Sequence, residues 1–222
     1  MRRGVCLLLI LGLLCVPVKA EGKYVALTFD DGPSGRFTRR LLEGLEQRQV
    51  KATFFLCGYR LKDYQALAKR IFQEGHEIGL HGYSHDNMSK MTPAQLEKEL
   101  QETKKLMPEG CRCTLLRPPG GASNQTLQSI TKQENLSVIL WSVDPRDWAN
   151  HDAAVVQASV VERVRDGDIV LLHDMCDCSV DAALGIIDAL QKQGFQFVTV
   201  SELARLQGVT LEPGRIYSAF SE

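Results

Sequence analysis

The sequence has almost no net charge, few aromatic residues and no repeat or low-complexity segment. Its 222 residues include 26 basic and 27 acidic side chains, and 7% are aromatic. A chain so close to neutral lacks the excess of positive charge that binds phosphate backbones, so nucleic acid is not an expected partner. With 44% hydrophobic and 24% charged residues it has a globular composition, which excludes collagen-like and disordered classes. This length favours a single domain.

Long apolar runs are also missing, apart from one at the N-terminus. Residues 5–16 form an apolar run behind Arg2 and Arg3, shorter than the roughly 20 residues of a membrane-spanning helix. We therefore expect a secretory signal peptide over residues 1–20, cut after Ala20, and a mature chain of residues 21–222 without a transmembrane segment. That chain would be secreted or associated with the cell envelope. Loss of Arg2, Arg3 and Lys19 would change its net charge from −1 to −4.

Cysteine is scarce in the expected mature chain, and its number is odd. An exported protein permits disulfides. Two Cys-x-Cys pairs favour loop disulfides or free thiols over a metal site, because they lack the Cys-x-x-Cys spacing of a zinc knuckle. The five residues are Cys57, Cys111, Cys113, Cys176 and Cys178.

Short β-rich runs alternate with stretches of helical period along the rest of the chain. The runs lie at 24–29, 52–57, 76–80, 114–117, 136–143, 168–172 and 195–200, and the helical stretches at 36–49, 61–74, 92–107, 122–133, 152–165 and 179–193, with a short one after residue 201. Residues 92–95 read as a capping box, and Asp152 and Ser179 are predicted helix N-caps. Seven β-then-α units predict parallel strands, either in a closed barrel or in a doubly wound sheet. Both architectures bind ligands at the carboxyl ends of their strands.

Residue types used in catalysis follow the first and third predicted strands. Asp30 and Asp31 end the first run. Adjacent side chains leaving a strand point to opposite sides, so one carboxylate can bind a cation while the other accepts a proton; the alternative is an ordinary turn. His81 and His85 follow the third run, spaced to meet on one face of a helical turn and suited to zinc, unless they are surface histidines.

The later strand ends carry more such residues, each of which could singly be a cap, core or solvated residue. Arg117 begins a Pro- and Gly-rich loop after the fourth run, Asp144 and Asp147 follow the fifth, and His173 the sixth. Their joint occurrence at one predicted rim favours an active site. The clustered residues are Asp30, Asp31, His81, His85, Arg117, Asp147 and His173.

These motifs together resemble those of the polysaccharide deacetylase family, which carries the NodB homology domain and forms carbohydrate esterase family 4. Five motifs occur in the family's order: Thr28-Phe29-Asp30-Asp31-Gly32-Pro33, His81-x-x-x-His85, Arg117-Pro118-Pro119, Asp144-x-x-Asp147-Trp148 and Leu171-Leu172-His173-Asp174. The resemblance implies a distorted (β/α)7 barrel, with residues 21–222 as its one catalytic domain. It also implies hydrolysis of N-acetyl groups in amino-sugar polymers with a divalent metal, zinc first and cobalt as the alternative.

The resemblance further implies roles for individual residues. For the metal and proton chemistry it implies Asp31, His81 and His85 as metal ligands, Asp30 as catalytic base, Arg117 as the residue holding Asp30, His173 as general acid and Asp147 as the carboxylate orienting His173. For the acetyl group it implies Trp148 and Leu171 as pocket walls and the Gly120 N–H as an oxyanion donor. Because aromatic rings stack on sugars, Tyr83 and Trp148 are candidate glycan contacts.

Two positions depart from the family pattern and bear on substrate. Gly82 stands where the family usually has Ser or Thr, whose hydroxyl braces the metal-histidine loop, and Gly120 stands where it often has Tyr. The expected substrate is peptidoglycan N-acetylglucosamine or N-acetylmuramic acid. The alternatives are chitin oligosaccharides, O-acetylated xylan or a non-catalytic role in glycan binding, and a monomer is assumed.

Overall fold

The computed structural model describes residues 22–220, so the predicted signal peptide at 1–20 lies outside the described residues. The strands are β1 (Lys23–Gly32), β2 (Thr53–Leu56), β3 (Glu77–Leu80), β4 (Leu115–Leu116), β5 (Ser137–Ile139), β6 (Asp168–His173), β7 (Phe195–Phe197) and β8 (Ile216–Tyr217). The α-helices are α1 (Arg36–Gln47), α2 (Gly58–Asp63), α3 (Gln65–Gln73), α4 (Pro93–Lys104), α5 (Gln125–Gln133), α6 (Ala153–Arg163), α7 (Asp177–Lys192) and α8 (Val200–Leu206). Within this range no helix has the length and apolarity needed to cross a bilayer.

The strands form one curled parallel sheet in the order β6-β1-β2-β3-β4-β5-β8, and β7 pairs with the start of β1. The curl nearly closes, because Val143, just after β5, bridges Val170 in β6. The Leu171 N–H donates to the Val143 carbonyl at 2.9 Å across this seam. The prediction of a distorted (β/α)7 barrel is thereby confirmed over a doubly wound sheet. The two-residue β8 was not predicted, because so short a strand leaves no periodic pattern.

Side-chain alternation along β1 divides the core into two layers and aims the site residues. Val25, Leu27 and Phe29 pack outward with the buried faces of α1 and α7. Ala26 points into the barrel, where it packs with single residues from the other strands: Phe55, Leu115, Ile139 and Ile169. Because strand side chains repeat every second residue, Thr28 and Asp30 continue the inward row of Ala26. Asp30 therefore reaches the carboxyl end of the barrel on its inner side.

Several helix boundaries differ from those predicted. The stretch 61–74 is two helices separated at Tyr64, whose φ of −124° and ψ of 37° are not helical. Ser179 is not the N-cap of α7; Cys176 is, and its sulfur accepts the Ser179 N–H at 3.3 Å. The capping box of Thr92 with Gln95 and the Asp152 N-cap are confirmed.

The cysteines differ in state. Cys176 and Cys178 form a disulfide, whereas Cys57, Cys111 and Cys113 are free. Burial is the main cause that raises the pKa of the Cys57 thiol, and the nearby carboxylates add to it. This residue therefore behaves as a buried apolar side chain.

Candidate metal and catalytic site

A cleft of about 440 Å³ lies at the carboxyl ends of the strands and gathers most of the predicted site residues. Its lining residues are Asp30, Asp31, His81, His85, Gly120, Trp141, Asp144, Trp148, Leu171 and His173. Arg117 and Asp147 lie beneath it, fully or almost fully buried, and contact lining residues. The predicted site residues do not include Trp141 and Asp144, although Trp141 lies near the end of the fifth predicted run and Asp144 directly follows that run.

Asp31, His81 and His85 converge on one side of the cleft. Asp31 Oδ1 lies 3.2 Å from His81 Nε2 and 2.9 Å from His85 Nε2. The potential ligand atoms of these three residues lie within 4.8 Å of one another. The spacing of the two histidines predicts that they meet on one face of a helical turn, and this prediction is wrong. They meet through an irregular loop in which Gly82 has a φ of 74° and His85 a φ of 67°.

The chemistry of this trio fits a divalent cation. Asp31 Oδ1 is buried and makes no hydrogen bond of acceptable geometry, although two imidazole nitrogens face it. Burial opposes ionisation, but the two imidazoles lower the pKa of Asp31 well below its usual range and keep it anionic. Contact with Asp31 in turn raises the pKa of His85. One carboxylate oxygen and two imidazole nitrogens are ligands that zinc accepts, and three protein ligands leave a coordination position open.

A contact behind His81 fixes which of its ring nitrogens faces the trio. His81 Nδ1 lies 2.7 Å from the carbonyl oxygen of Arg117. A carbonyl can only accept, so Nδ1 carries the hydrogen and Nε2 presents its lone pair to the cleft. The same strand end that supplies Arg117 thus orients a candidate metal ligand.

Asp30 is held by a fully buried guanidinium. Arg117 Nη1 donates to Asp30 Oδ1 at 2.7 Å and to Thr28 Oγ1 at 2.6 Å, and its other nitrogens donate to the carbonyls of Ile139 and Leu140. Burial lowers the pKa of Arg117, and the charge of Asp30 opposes that effect. Asp30 Oδ2 lies 3.7 Å from His81 Nε2, on the side of the metal trio. One oxygen of Asp30 is therefore anchored, and the other faces the reaction space.

His173 lines the same cleft and is paired with Asp147. Asp147 is buried; its Oδ1 lies 2.8 Å from His173 Nδ1, and its Oδ2 accepts the His173 backbone N–H at 2.8 Å. Burial lowers the pKa of His173, but the hydrogen bond and charge of Asp147, together with Asp30 and Asp31, raise it to about 9. At neutral pH His173 is therefore an imidazolium with a proton to donate.

The four predicted substrate contacts separate into two groups. Gly120, Trp148 and Leu171 line the cleft, and Trp148 is 55% exposed. Tyr83 lies instead in a neighbouring pocket of about 450 Å³. Its ring packs so close to Gly58 that a Cβ added there would lie 2.4 Å from Tyr83 Cδ2. The structure thus does not bring Tyr83 into the cleft.

Comparisons with known proteins show the family to which the chain belongs. The polysaccharide deacetylase family model matches residues 18–139. A peptidoglycan-N-acetylglucosamine deacetylase of Bacillus cereus (strain ATCC 14579) is 41% identical over 200 residues, which are 87% of this chain and 94% of that protein. The peptidoglycan-N-acetylmuramic acid deacetylase PdaC of Bacillus subtilis (strain 168) is 37% identical over 192 residues, which are 86% of this chain and 40% of that protein.

A solved structure gives the same result for the fold. The structure of a family 4 acetyl xylan esterase from Clostridium thermocellum, in complex with a cobalt ion, has a TM-score of 0.83 at 35% identity and covers 89% of this chain and 98% of that one. The family model covers more than half of the sequence, and the Bacillus cereus relative covers most of it. The chain therefore belongs to the polysaccharide deacetylase family of hydrolases.

Proposed function

We propose that this hydrolase removes N-acetyl groups from amino sugars of peptidoglycan outside the cytoplasm, with a divalent metal as cofactor. The convergence of Asp31, His81 and His85 with the Asp30–Arg117 and His173–Asp147 pairs around one cleft carries the proposal. The activities of the two Bacillus relatives, both peptidoglycan deacetylases, support peptidoglycan as the substrate. Export would follow from the predicted signal peptide.

Amide hydrolysis needs a polarised carbonyl, an activated water and a proton for the departing amine. A zinc or cobalt ion bound by Asp31, His81 and His85 would supply Lewis acidity to the carbonyl and to a water. Asp30, whose Oδ1 is anchored by Arg117, accepts the proton of the attacking water at Oδ2. The anchored geometry keeps this base within the reaction space without a change of rotamer.

The second half of the reaction uses Gly120 and His173. Gly120 lines the cleft, and its backbone N–H would donate to the oxygen of the tetrahedral intermediate, a contribution worth about 3–4 kcal/mol in other hydrolases. His173, protonated at neutral pH, gives its Nε2 proton to the amine nitrogen. Asp147 keeps that ring oriented through Nδ1. Leu171 and the partly exposed Trp148 form the walls against which the acetyl methyl packs.

The alternatives are chitin oligosaccharides, O-acetylated xylan and non-catalytic glycan binding. Tyr83 does not line the cleft, and Gly120 has no ring. Among the described residues, Trp141 and Trp148 are the tryptophans that line the cleft and could stack on a sugar. Because all the metal, base and acid positions are filled, catalysis is favoured over binding alone.

Acetate release from a panel of glycans tests the proposal. Purified mature protein is incubated with peptidoglycan fragments, N-acetylglucosamine oligomers and acetylated xylan, with and without a chelator, and products are weighed by mass spectrometry. We expect chelator-sensitive loss of acetyl groups from peptidoglycan amino sugars. Release from xylan alone would assign an esterase, and glycan binding without release would contradict the enzymatic proposal.

A further inference from the structure

Residues 22–220 contain a second group of metal-binding side chains, away from the cleft trio. The potential ligand atoms of His151, Cys176 and Cys178 lie within 4.8 Å of one another. Cys178 Sγ is 3.9 Å from His151 Nδ1, and the two cysteines are joined as a disulfide. The group lies three residues beyond Trp148 on one loop and three beyond His173 on the other.

Two helix N-termini hold this group in place. Cys176 is the N-cap of α7 and Cys178 lies in its first turn, while His151 directly precedes Asp152, the N-cap of α6. Helices α6 and α7 pack against each other. The positive end of a helix dipole favours the thiolate form of a cysteine, which is the form that binds metals. The scaffold therefore brings two cysteine sulfurs and one imidazole together at the N-termini of two packed helices.

We propose that reduction of the Cys176–Cys178 disulfide creates a second cation site, in which two thiolates and His151 Nδ1 bind one thiophilic divalent cation such as zinc. A small dithiol reductant supplies two electrons and two protons and leaves as its own cyclic disulfide. Binding of the cation then displaces the two thiol protons. With Zn–S and Zn–N bonds of about 2.3 and 2.1 Å, the edges of a tetrahedral site are about 3.6–3.8 Å, close to the spacing of His151 and Cys178. A water would fill the fourth position.

Zinc stoichiometry, measured by competition with a chromophoric chelator, tests this site. We expect the dithiol-treated chain to bind one more zinc ion than the oxidised chain, and the Cys176→Ser/Cys178→Ser variant to show no such gain. The matched control is Cys111→Ser/Cys113→Ser, because this second Cys-x-Cys pair is grouped with no histidine in the described chain. It should retain the additional ion.

The readout is a difference between redox states, so it does not depend on the cleft trio or on activity. His151→Ala should weaken binding of the additional ion. No gain on reduction, or a gain that disappears with Cys111 and Cys113 instead, would overturn the proposal.

A separate observation concerns the loop between the cleft histidines. The Gly82 and Tyr83 carbonyls accept the N–H groups of Gly58 and Tyr59, at the start of α2, at 2.9 and 3.0 Å. On the other side, Glu99 of α4 accepts the N–H groups of Tyr83 and Ser84 with one oxygen, Oε2, at 2.6 and 2.9 Å. The loop is thus anchored from both sides. In the described part of the chain, Glu99 is the side chain that accepts hydrogen bonds from the backbone N–H groups of this loop.

Glu99 also lies next to Gly82, the first residue of this loop. A Cβ added to Gly82 would lie 3.3 Å from Glu99 Oε2, so the carboxylate occupies the space next to this glycine. Gly82 adopts its φ of 74° without strain, whereas the φ of 67° at His85 is one that non-glycine residues rarely adopt. The hydrogen bonds from Tyr83 and Ser84 to Glu99 help to hold this loop, and with it His81 and His85, in place.

We infer that Glu99 is a positioning residue for the cleft metal, acting through its two hydrogen bonds to the backbone of the loop between His81 and His85. The inference rests on the proposed function, since it assumes a metal on Asp31, His81 and His85. Loss of outer contacts of this kind typically weakens metal affinity by about 10–100-fold.

Cobalt affinity of the apoprotein, followed by visible absorption, tests the role of Glu99 without an activity assay. We expect Glu99→Ala to weaken affinity by about 10–100-fold. Glu99→Gln should restore it, because its amide oxygen still accepts both N–H groups. Glu102→Ala, an exposed glutamate one turn along α4 that pairs with Lys105, is the matched control and should bind like wild type.

The outcomes separate the two proposals. If wild type binds no cobalt, the proposed function fails. If wild type binds cobalt and Glu99→Ala binds equally well, or if Glu99→Gln is as weak as Glu99→Ala, the positioning role is overturned. Thermal unfolding of the apoproteins shows whether Glu99→Ala retains the fold, and Glu99→Gln supplies the test if it does not.

Discussion

Asp30 and Asp31 are neighbours in sequence, yet the structure gives their carboxylates different partners. Asp30 is bound by a buried guanidinium, whereas Asp31 faces two imidazoles. Alternation along a strand predicts that the two side chains diverge, and this could be inferred from sequence. Which partner each one meets does not follow from the local pattern, because Arg117 and His81 come from strands far along the chain. Only the family resemblance implied these partners.

Substituting two histidines at the residue scale should separate metal binding from proton donation. His81→Ala removes a proposed ligand, so metal content and acetate release should fall together. His173→Ala should keep the metal and lower turnover by about 10²–10⁴-fold, the usual contribution of a general acid. Metal analysis and steady-state rates on acetylated glucosamine oligomers check both. Near-normal turnover of His173→Ala would contradict the acid assignment.

The pH profile should report the Asp147–His173 pair. Asp147 raises the pKa of His173 to about 9 against the effect of burial. Asp147→Asn removes that charge, so the alkaline limb of the kcat/KM profile should move to lower pH and the maximal rate should fall. Rates measured between about pH 5 and 10 check this, across the range in which histidine titrates. An unchanged alkaline limb would show that another group governs it.

At the scale of elements, sequence predicts most strongly where a local signal is complete. The capping box before α4 is such a signal: Thr92 Oγ1 accepts the Gln95 N–H and Gln95 Oε1 accepts the Thr92 N–H. Local signals mispredict the start of α7, because residue type favours Ser179 as the N-cap. Cys176 caps the helix instead, and the disulfide to Cys178 lies in that first turn.

The capping box gives a stability prediction that leaves the cleft untouched. Thr92→Ala removes the acceptor for the Gln95 N–H and should lower the free energy of unfolding by about 1 kcal/mol. Thr92→Asp keeps an acceptor and serves as the control. Urea unfolding measures both, and acetate release should stay unchanged. Equal stability of the alanine variant and wild type would show that the box contributes nothing measurable.

For the whole molecule, the buried His76 and the partly buried His173 should limit the stability of the apoprotein at opposite ends of the pH range. The pKa of His173 is raised to about 9, so its stabilising contribution is present below the unfolded value of about 6.5 and is lost as the pH rises through 9. Burial, with the nearby Lys51 and Arg70, lowers the pKa of His76 to about 4. Stability is therefore also lost as the pH falls from about 6.5 toward 4.

Urea unfolding in the presence of a chelator at several pH values checks this. We expect maximal stability near pH 6.5, with a loss of up to about 3 kcal/mol per histidine as the pH rises to 9 or falls to 4. His76→Gln should flatten the acid side and leave the alkaline side unchanged. If His76→Gln loses as much unfolding free energy at acid pH as wild type, the carboxylates alone cause that loss.

The sequence by itself determined the alternation of strands and helices, the parallel sheet and the types of residue at the strand ends, because these follow from periodicity and from chain direction. The tertiary structure alone decided how these residues are held: the loop with two left-handed residues that brings the trio together, the contacts of Glu99 with that loop, and the exclusion of Tyr83 from the cleft. Side-chain contacts across strands depend on barrel curvature and on how closely glycines such as Gly58 let backbones approach. No local pattern records those distances.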